Sequence, residues 1–433
     1  MNLHVVEGMT PFYPQVANHI DDDPTPKDQA IYVPSVGPGF AADIYAGNWK
    51  RPLPAGVTAA DLNFLDPSNK LFRISHAMSS AGHAMYQTKP CIISERDRSK
   101  TIVIGDSGGY QIASGILKVH GDRDRHRILN WLERTADISM TLDVPTGPCL
   151  SPGYAFRNTK DCLAVTLDHL NFFQKYRTPG KVRFLNVLQG NTLKEADYWY
   201  DAVKGFEFEG WAFAGILRHN FSCLLKRILI MTHENQLQDK SWIHVLGTNE
   251  LETAVLLTAL QRSINRHINP NLRISYDTSS PFRLLAWKQI YSYPKFSSTR
   301  ISMATDKAPE GHSLIGSQIR FPWPSPLGDR MVLGDVVVKP NANGSYQDTQ
   351  SGYLLAHHNL TSLCYAVAMA NRVYDAESIQ HKHTIATTAG AAVTEIEKVI
   401  SSGSMTVLSK ASKVLQALRH GSVPTADDEE RDF

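Results

Sequence analysis

Eight short apolar runs recur along residues 30 to 277, and that rhythm limits the fold more than any other feature of the chain. They are AIYVPSVG (30–37), LFRISHAM (71–78), TIVIGD (101–106), DISMTLD (137–143), VRFLNVLQG (182–190), GWAFAG (210–215), WIHVLG (242–247) and LRISYD (272–277). Each is short, rich in β-branched or aromatic residues, and bounded by turn-forming residues, as a buried strand requires. Helix-length stretches separate most of them: 124–136, 157–177, 192–204, 221–236 and 249–266. In the last, Leu251, Ala254, Val255, Thr258, Leu260 and Gln261 form one helical face, and TNELE (248–252) offers Thr248 or Asn249 as a cap. Eight strand–helix units over about 250 residues predict an α/β fold, a (β/α)8 TIM barrel. A doubly wound sheet shares the local pattern, but no GxGxxG follows the first strand.

The rhythm stops after Asp277. The barrel is expected to occupy 1–295, and 296–433 to form a C-terminal lobe. That lobe reads as Ser/Pro/Gly-rich segments, a short strand at MVLGDVVV (331–338), helices near 353–378 and 384–417, and a disordered acidic tail, TADDEERDF.

Composition excludes several classes. Lys and Arg number 44 against 42 for Asp and Glu, so any polyanion must be met by local patches. The five cysteines form no CxC or CxxC pair, which argues against a zinc knuckle or a disulfide framework and for a reducing, cytoplasmic setting. No basic leader and no long apolar run is seen, so neither a signal peptide nor a membrane span is expected.

In a βα barrel, chemistry gathers where the strands end. Three runs end in aspartate, at Asp106, Asp143 and Asp277, and two others end in Gln189-Gly190 and Gly215. Singly, each has an ordinary reading: an aspartate there caps the next helix, a glutamine bonds its loop, a glycine makes a turn. Together they ring one mouth. Gly108 and Gly109 strip side chains from beside Asp106, and Tyr110 supplies a flat ring for stacking. Paired carboxylates beside a slot for a planar ligand suit glycosyl chemistry, one attacking the anomeric carbon and the other moving the proton.

Asp106-Ser107-Gly108-Gly109-Tyr110-Gln111 resembles the signature strand end of the tRNA-guanine transglycosylases, DSGG-aromatic-Gln. LDVPTG, LQGNT, GWAFAGIL, HVLGTNELETAV and ISYDTSSP resemble further segments of that family in order, over roughly residues 30 to 378. The resemblance implies that Asp277 attacks C1′ of a nucleoside and expels guanine, while Asp106 handles the proton on the leaving and entering bases. Two inversions at C1′ then retain the β configuration. It further implies that Asp143, Gln189, Gly215 and Ser107 bind the purine, that Tyr110 stacks on it, and that His244 supplies a second stacking surface. No cofactor is implied.

Two departures narrow the expectation. The family carries CxCxxC and a distant histidine around zinc, whereas only Cys364 follows Asp277 here. His358, in HHNL, resembles the fourth ligand, and one histidine does not hold a structural zinc. No metal is therefore expected, with His357 and His358 read as helix-start or packing residues and HKH (381–383) as a solvated surface. ILRHN (216–220) also replaces the family's Leu-Ala-Val-Gly-Glu, which disfavours an aminomethyl substrate. Together these are similar to the branch that exchanges guanine in DNA for a 7-deazaguanine, with 7-cyano-7-deazaguanine favoured and a partner ATPase implied. The alternatives are the same chemistry on tRNA and a non-catalytic nucleic-acid-binding subunit. A generic barrel aldolase or hydrolase lacks its Schiff-base lysine or metal cluster here. SERDRSK and HGDRDRHRILN place Arg96, Arg98, Lys100, Arg123 and Arg125 near the Asp106 loop as candidate phosphate contacts, with Arg218-His219 and Lys226-Arg227 near later strand ends. Tyr198, Trp199 and Tyr200, in DYWYD, could stack bases, but their helical spacing reads as core or interface packing.

Overall fold

The computed structural model describes residues 28–417 apart from 116, 118, 120, 249, 299 and 381–386. The acidic tail, the HKH segment and Asn249 therefore lie outside the described residues.

The chain folds into a (β/α)8 barrel. Its strands are β1 (Ile31–Pro34), β2 (His76–Ser80), β3 (Ile102–Asp106), β4 (Ile138–Met140), β5 (Arg183–Leu188), β6 (Gly210–Phe213), β7 (Trp242–Val245) and β8 (Arg273–Thr278). They pair in parallel, in chain order, and β8 returns to pair with β1. The ring closes through an isolated parallel bridge between Ser35 and Met78, where the Val36 N–H also donates to the Met78 carbonyl at 2.9 Å. Each of the eight runs overlaps one of these strands, with β2 continuing past its run to Ser80 and β8 to Thr278.

Two apolar layers hold the ring. Ile31, Val33, Ile104, Met140, Leu185 and Val187 are among the residues that fill its interior. The outer faces of the strands pack against the surrounding helices in a larger core. Helix Leu251–His267 is covered on both sides, since the barrel lies within it and C-terminal helices Thr349–Gln380 and Thr387–Ser402 lie outside. Ion pairs reinforce that seam. Arg262 bridges Asp28 and Asp375 at 2.9 and 2.6 Å, and Glu397 meets Arg266 at 2.7 Å. The extension is thus fastened to the barrel wall.

Several expectations are corrected. An antiparallel hairpin, β9 (Gln289–Phe296) and β10 (Ile301–Lys307), spans the expected boundary at 295/296. MVLGDVVV forms a helical turn, Leu333–Val336, instead of a strand, because the Asp335 carboxylate accepts the Val332 N–H at 2.8 Å. The stretch at 384–417 is two helices, broken where Gly403 adopts φ +61° between Ser402 and Met405. His357 and His358 lie well inside helix Thr349–Gln380, not at its start. No helix among the described residues is long and apolar enough to cross a membrane.

Candidate active site

Strand periodicity delivers the acidic residues to the mouth. Alternate residues of a strand share a face. Asp106 follows Ile104 by two positions, Gln189 follows Val187, His244 follows Trp242, and Asp277 follows Ser275. Ile104, Val187 and Trp242 all belong to the inner layer. At the C-terminal end of each of these four strands the inward position is thus occupied by a polar group.

Asp277 is only 8% exposed and is held by two neighbours on one oxygen. Its Oδ1 accepts the Gly247 N–H at 2.7 Å and lies 3.2 Å from His244 Nε2. His244 Nδ1 lies 2.7 Å from Ser275 Oγ, which accepts Trp242 Nε1–H at 2.7 Å. The donor directions run without conflict when His244 is the neutral Nε2–H tautomer: indole to serine, serine to imidazole, imidazole to carboxylate. The Asp277 carbonyl accepts the Thr248 N–H at 2.8 Å. Thr248 is therefore tied to β8 and does not cap the next helix, which starts after Glu250.

Asp106 and Asp143 are the protonatable members. Burial raises the Asp106 pKa. Bonds from the Ser80 hydroxyl and the Gly108 N–H oppose that shift, and the negative charge of Asp277 adds to it. Asp143 is pushed up to about 7, first by burial and then by the charge of Asp106, against a bond from Gln189. That bond runs from Gln189 Nε2–H to Asp143 Oδ2 at 2.8 Å. Asp106 therefore stands within electrostatic reach of both Asp277 and Asp143, at the C-terminal end of the barrel strands. Neither Asp143 nor Asp277 uses its carboxylate to cap the next helix.

The turn after β3 needs its glycines. Gly108 has φ +93°, and a Cβ there would lie 2.8 Å from the Gly82 backbone. A Cβ on Gly109 would lie 2.9 Å from the Asp143 carbonyl and 3.0 Å from Oδ1. The bare turn thus packs the Asp106 loop against both the β2 loop and Asp143. Beyond it, Gln111 bonds Ser80 at 2.9 Å and His83 at 3.0 Å. Tyr110 stays half-buried at the mouth, near enough to the Arg283 guanidinium to interact electrostatically. Gly215 sits against the Gly190 carbonyl, which accepts the Ile216 N–H at 2.8 Å, so the Gln189 and Gly215 turns form one ledge.

Other expected site residues lie elsewhere. His244 is fully buried in the barrel and bonded at both nitrogens, so it orients Asp277 and offers no stacking face. Ser107 is likewise buried, and its hydroxyl donates to the Thr141 carbonyl at 3.0 Å. Arg96 and Arg98 both bind Asp137, at 2.6 and 2.7 Å, where β4 begins. That is the opposite end of the barrel, and Lys100 precedes β3 at the same end. Arg125 ties Asp122 to Asp168 and packs over Phe172. Arg227 is buried between Asp197 and the Tyr200 ring. Trp199 and Tyr200 are buried as expected, whereas Tyr198 is 48% exposed. Arg123 remains on the mouth side, at the start of helix Gly121–Thr135.

Two neighbours of the site carried weaker sequence signals. Ser275 shares a strand face with Asp277 at a spacing of two, which periodicity alone could have shown. Arg218 reaches Gly247, where a Cβ would lie 2.6 Å from its Nη1, so a cation stands beside the loop that holds Asp277. Its neighbour His219 is held down to about pKa 4 by burial and by that cation. In the C-terminal lobe, His358 faces Ser325 Oγ and the Tyr291 carbonyl, each at 2.9 Å. No cluster of three or more metal-ligating side chains occurs among the described residues.

No protein-family model and no curated protein matches the chain.

The Asp143 environment makes a prediction for the free protein. An unfolded aspartate titrates near about 3.9, so between about pH 4 and 7 the folded state binds more protons. Stability should therefore fall as pH rises through that window. At about 1.4 kcal/mol per unit the contribution approaches about 4 kcal/mol. Asp143→Asn should flatten the pH dependence of the melting temperature, leaving the part due to Asp106. An unchanged slope refutes the assignment.

Proposed function

We propose that the chain exchanges guanine in DNA for a 7-deazaguanine, with 7-cyano-7-deazaguanine the favoured incoming base. The reaction runs through a covalent sugar–Asp277 ester. The observation that carries this reading is the meeting of differently held carboxylates at one mouth, on strand ends whose sequences resemble the guanine transglycosylases. Asp277 accepts two hydrogen bonds on Oδ1, which orient it as a nucleophile. Asp106 is desolvated and faces a second negative charge, which favours the protonated form that a departing base requires.

The steps balance. The Asp277 carboxylate attacks C1′, the bond from C1′ to the guanine nitrogen breaks, and the departing base takes its proton from Asp106. The incoming base then gives a proton to the Asp106 carboxylate. Its nitrogen attacks C1′, and the ester bond to Asp277 breaks. The Asp143–Gln189 pair and the Gly215 ledge grip the purine edge, and Tyr110 stacks on its face. A target inside a duplex must first be flipped out. Arg218 supports an uncharged substituent, since a cation beside the pocket disfavours an aminomethyl group. An inactive binding subunit would have no need of a carboxylate held as Asp277 is.

Incubation with labelled guanine and either duplex DNA or tRNA tests the reading. Label should enter DNA. Label entering tRNA alone overturns the choice of polymer, and label entering neither overturns base exchange.

A further inference from the structure

A basic groove runs down the barrel's outer wall from the Asp106 turn. Helix Gly121–Thr135 begins where the loop after β3 ends, so its first turn lies on the mouth side and its last on the far side. Arg123, Arg127, Asn130 and Arg134 follow one another at spacings of four, three and four, which is one stripe of a helix. With His126, they line a groove of about 260 Å³ floored by Trp131. The Arg123 side chain is 82% exposed, and Arg134 is exposed. Tyr86 is 61% exposed at its flank. Arg127 lies 4.9 Å over that ring and also reaches the Tyr86 hydroxyl at 3.2 Å, so guanidinium and phenol form one platform. The acidic group facing the stripe is Asp124. It is buried behind it, 3.2 Å from Arg127 and 3.9 Å from Arg123.

One end of the groove lies near the candidate site. Met85, another lining residue, lies three positions after Gly82, whose backbone meets the Gly108 turn beside Asp106. From Arg123 to Arg134 the helix rises about 16 Å at 1.5 Å per residue. An exposed aromatic ring beside spaced guanidinium groups is the combination that holds a single nucleic-acid strand.

We propose that this groove is the track along which the phosphodiester backbone of a DNA strand leaves the Asp106–Asp277 cavity. The direction of the track rests on the base-exchange reading, whereas strand binding stands by itself. Arg123 and Arg134 hold phosphates, and the Tyr86–Arg127 platform supports a base or sugar.

Equilibrium binding of a fluorescein-labelled single-stranded DNA of about 30 nucleotides, over about 50 to 200 mM salt, reads this directly. The full chain is compared with Arg123→Gln/Arg134→Gln, which alters two exposed side chains. Lys410→Gln/Lys413→Gln on helix Met405–Ala417 removes the same charge as a control. The groove variant should lower the slope of log K against log salt by about 1.4, at about 0.7 per phosphate contact on a single strand, with at least about a tenfold loss of affinity. A groove variant indistinguishable from the control overturns the track, even where the wild type exchanges label. A reduced slope in a protein that exchanges no label supports the track and removes the base-exchange reading. Anionic-lipid vesicles bound in preference to the oligonucleotide, with the same arginine dependence, also overturn it.

Discussion

Asp277→Ala abolishes base exchange, with turnover falling by about 10⁴-fold or more, as expected when the nucleophile of a covalent mechanism is removed. The reason is geometric. Asp277 is the inward side chain at the end of β8, and the Gly247 N–H and His244 fix one of its oxygens. Nothing adjacent can replace it, because His244 is buried and already bonded on both sides. Truncation leaves those two partners unsatisfied at a cost of about 1–3 kcal/mol. Asp277→Asn is therefore the companion variant, since its amide oxygen can still accept from Gly247. Both should fail to form a covalent adduct with DNA, and the asparagine form should melt closer to wild type. Adduct formation by either variant rules out the assigned role.

Asp106→Asn has the second largest effect, a fall of about 10² to 10⁴ in turnover, the usual worth of a positioned acid or base. Its signature differs from that of the nucleophile. An amide can neither give the departing guanine its proton nor take one from the incoming base, so the ester forms slowly and, once formed, persists. The variant should accumulate adduct while releasing little exchanged product. Its pH profile should change as well. Asp106 must be protonated for the first half-reaction and ionised for the second, so the wild type shows a bell-shaped dependence and the variant loses a limb. An unchanged rate and profile would show that another group moves the proton.

The barrel was legible because each strand carries its own signal. Runs such as TIVIGD and WIHVLG are apolar, bounded and separated by amphipathic helices, and none depends on knowing its neighbours. Asp106, Asp143, Gln189 and Asp277 were legible for the same reason, as polar residues where a buried run stops. What the sequence left open depended on contacts between distant segments. His244 looks like a ring available for stacking until β8 brings Ser275 and Asp277 beside it. Arg96 and Arg98 are only a few residues from Asp106, yet β3 separates them from it by the length of the barrel. MVLGDVVV has strand composition, but Asp335 caps a helical turn within it. Arg123 and Arg127 were visible in a basic run, HGDRDRHRILN, which ends before Arg134. Which of them face out was not, since Arg125 turns to Asp168 while Arg123 stays exposed.

The central claim is that Asp277 carries the sugar in a covalent ester. Incubating Asp106→Asn with duplex DNA, digesting both polymers and mapping the modified peptide by mass spectrometry tests it most directly. The account predicts a deoxyribose-linked peptide with the ester on Asp277. An ester on Asp106 or Asp143, or exchange that proceeds with no protein-bound sugar at all, would contradict it.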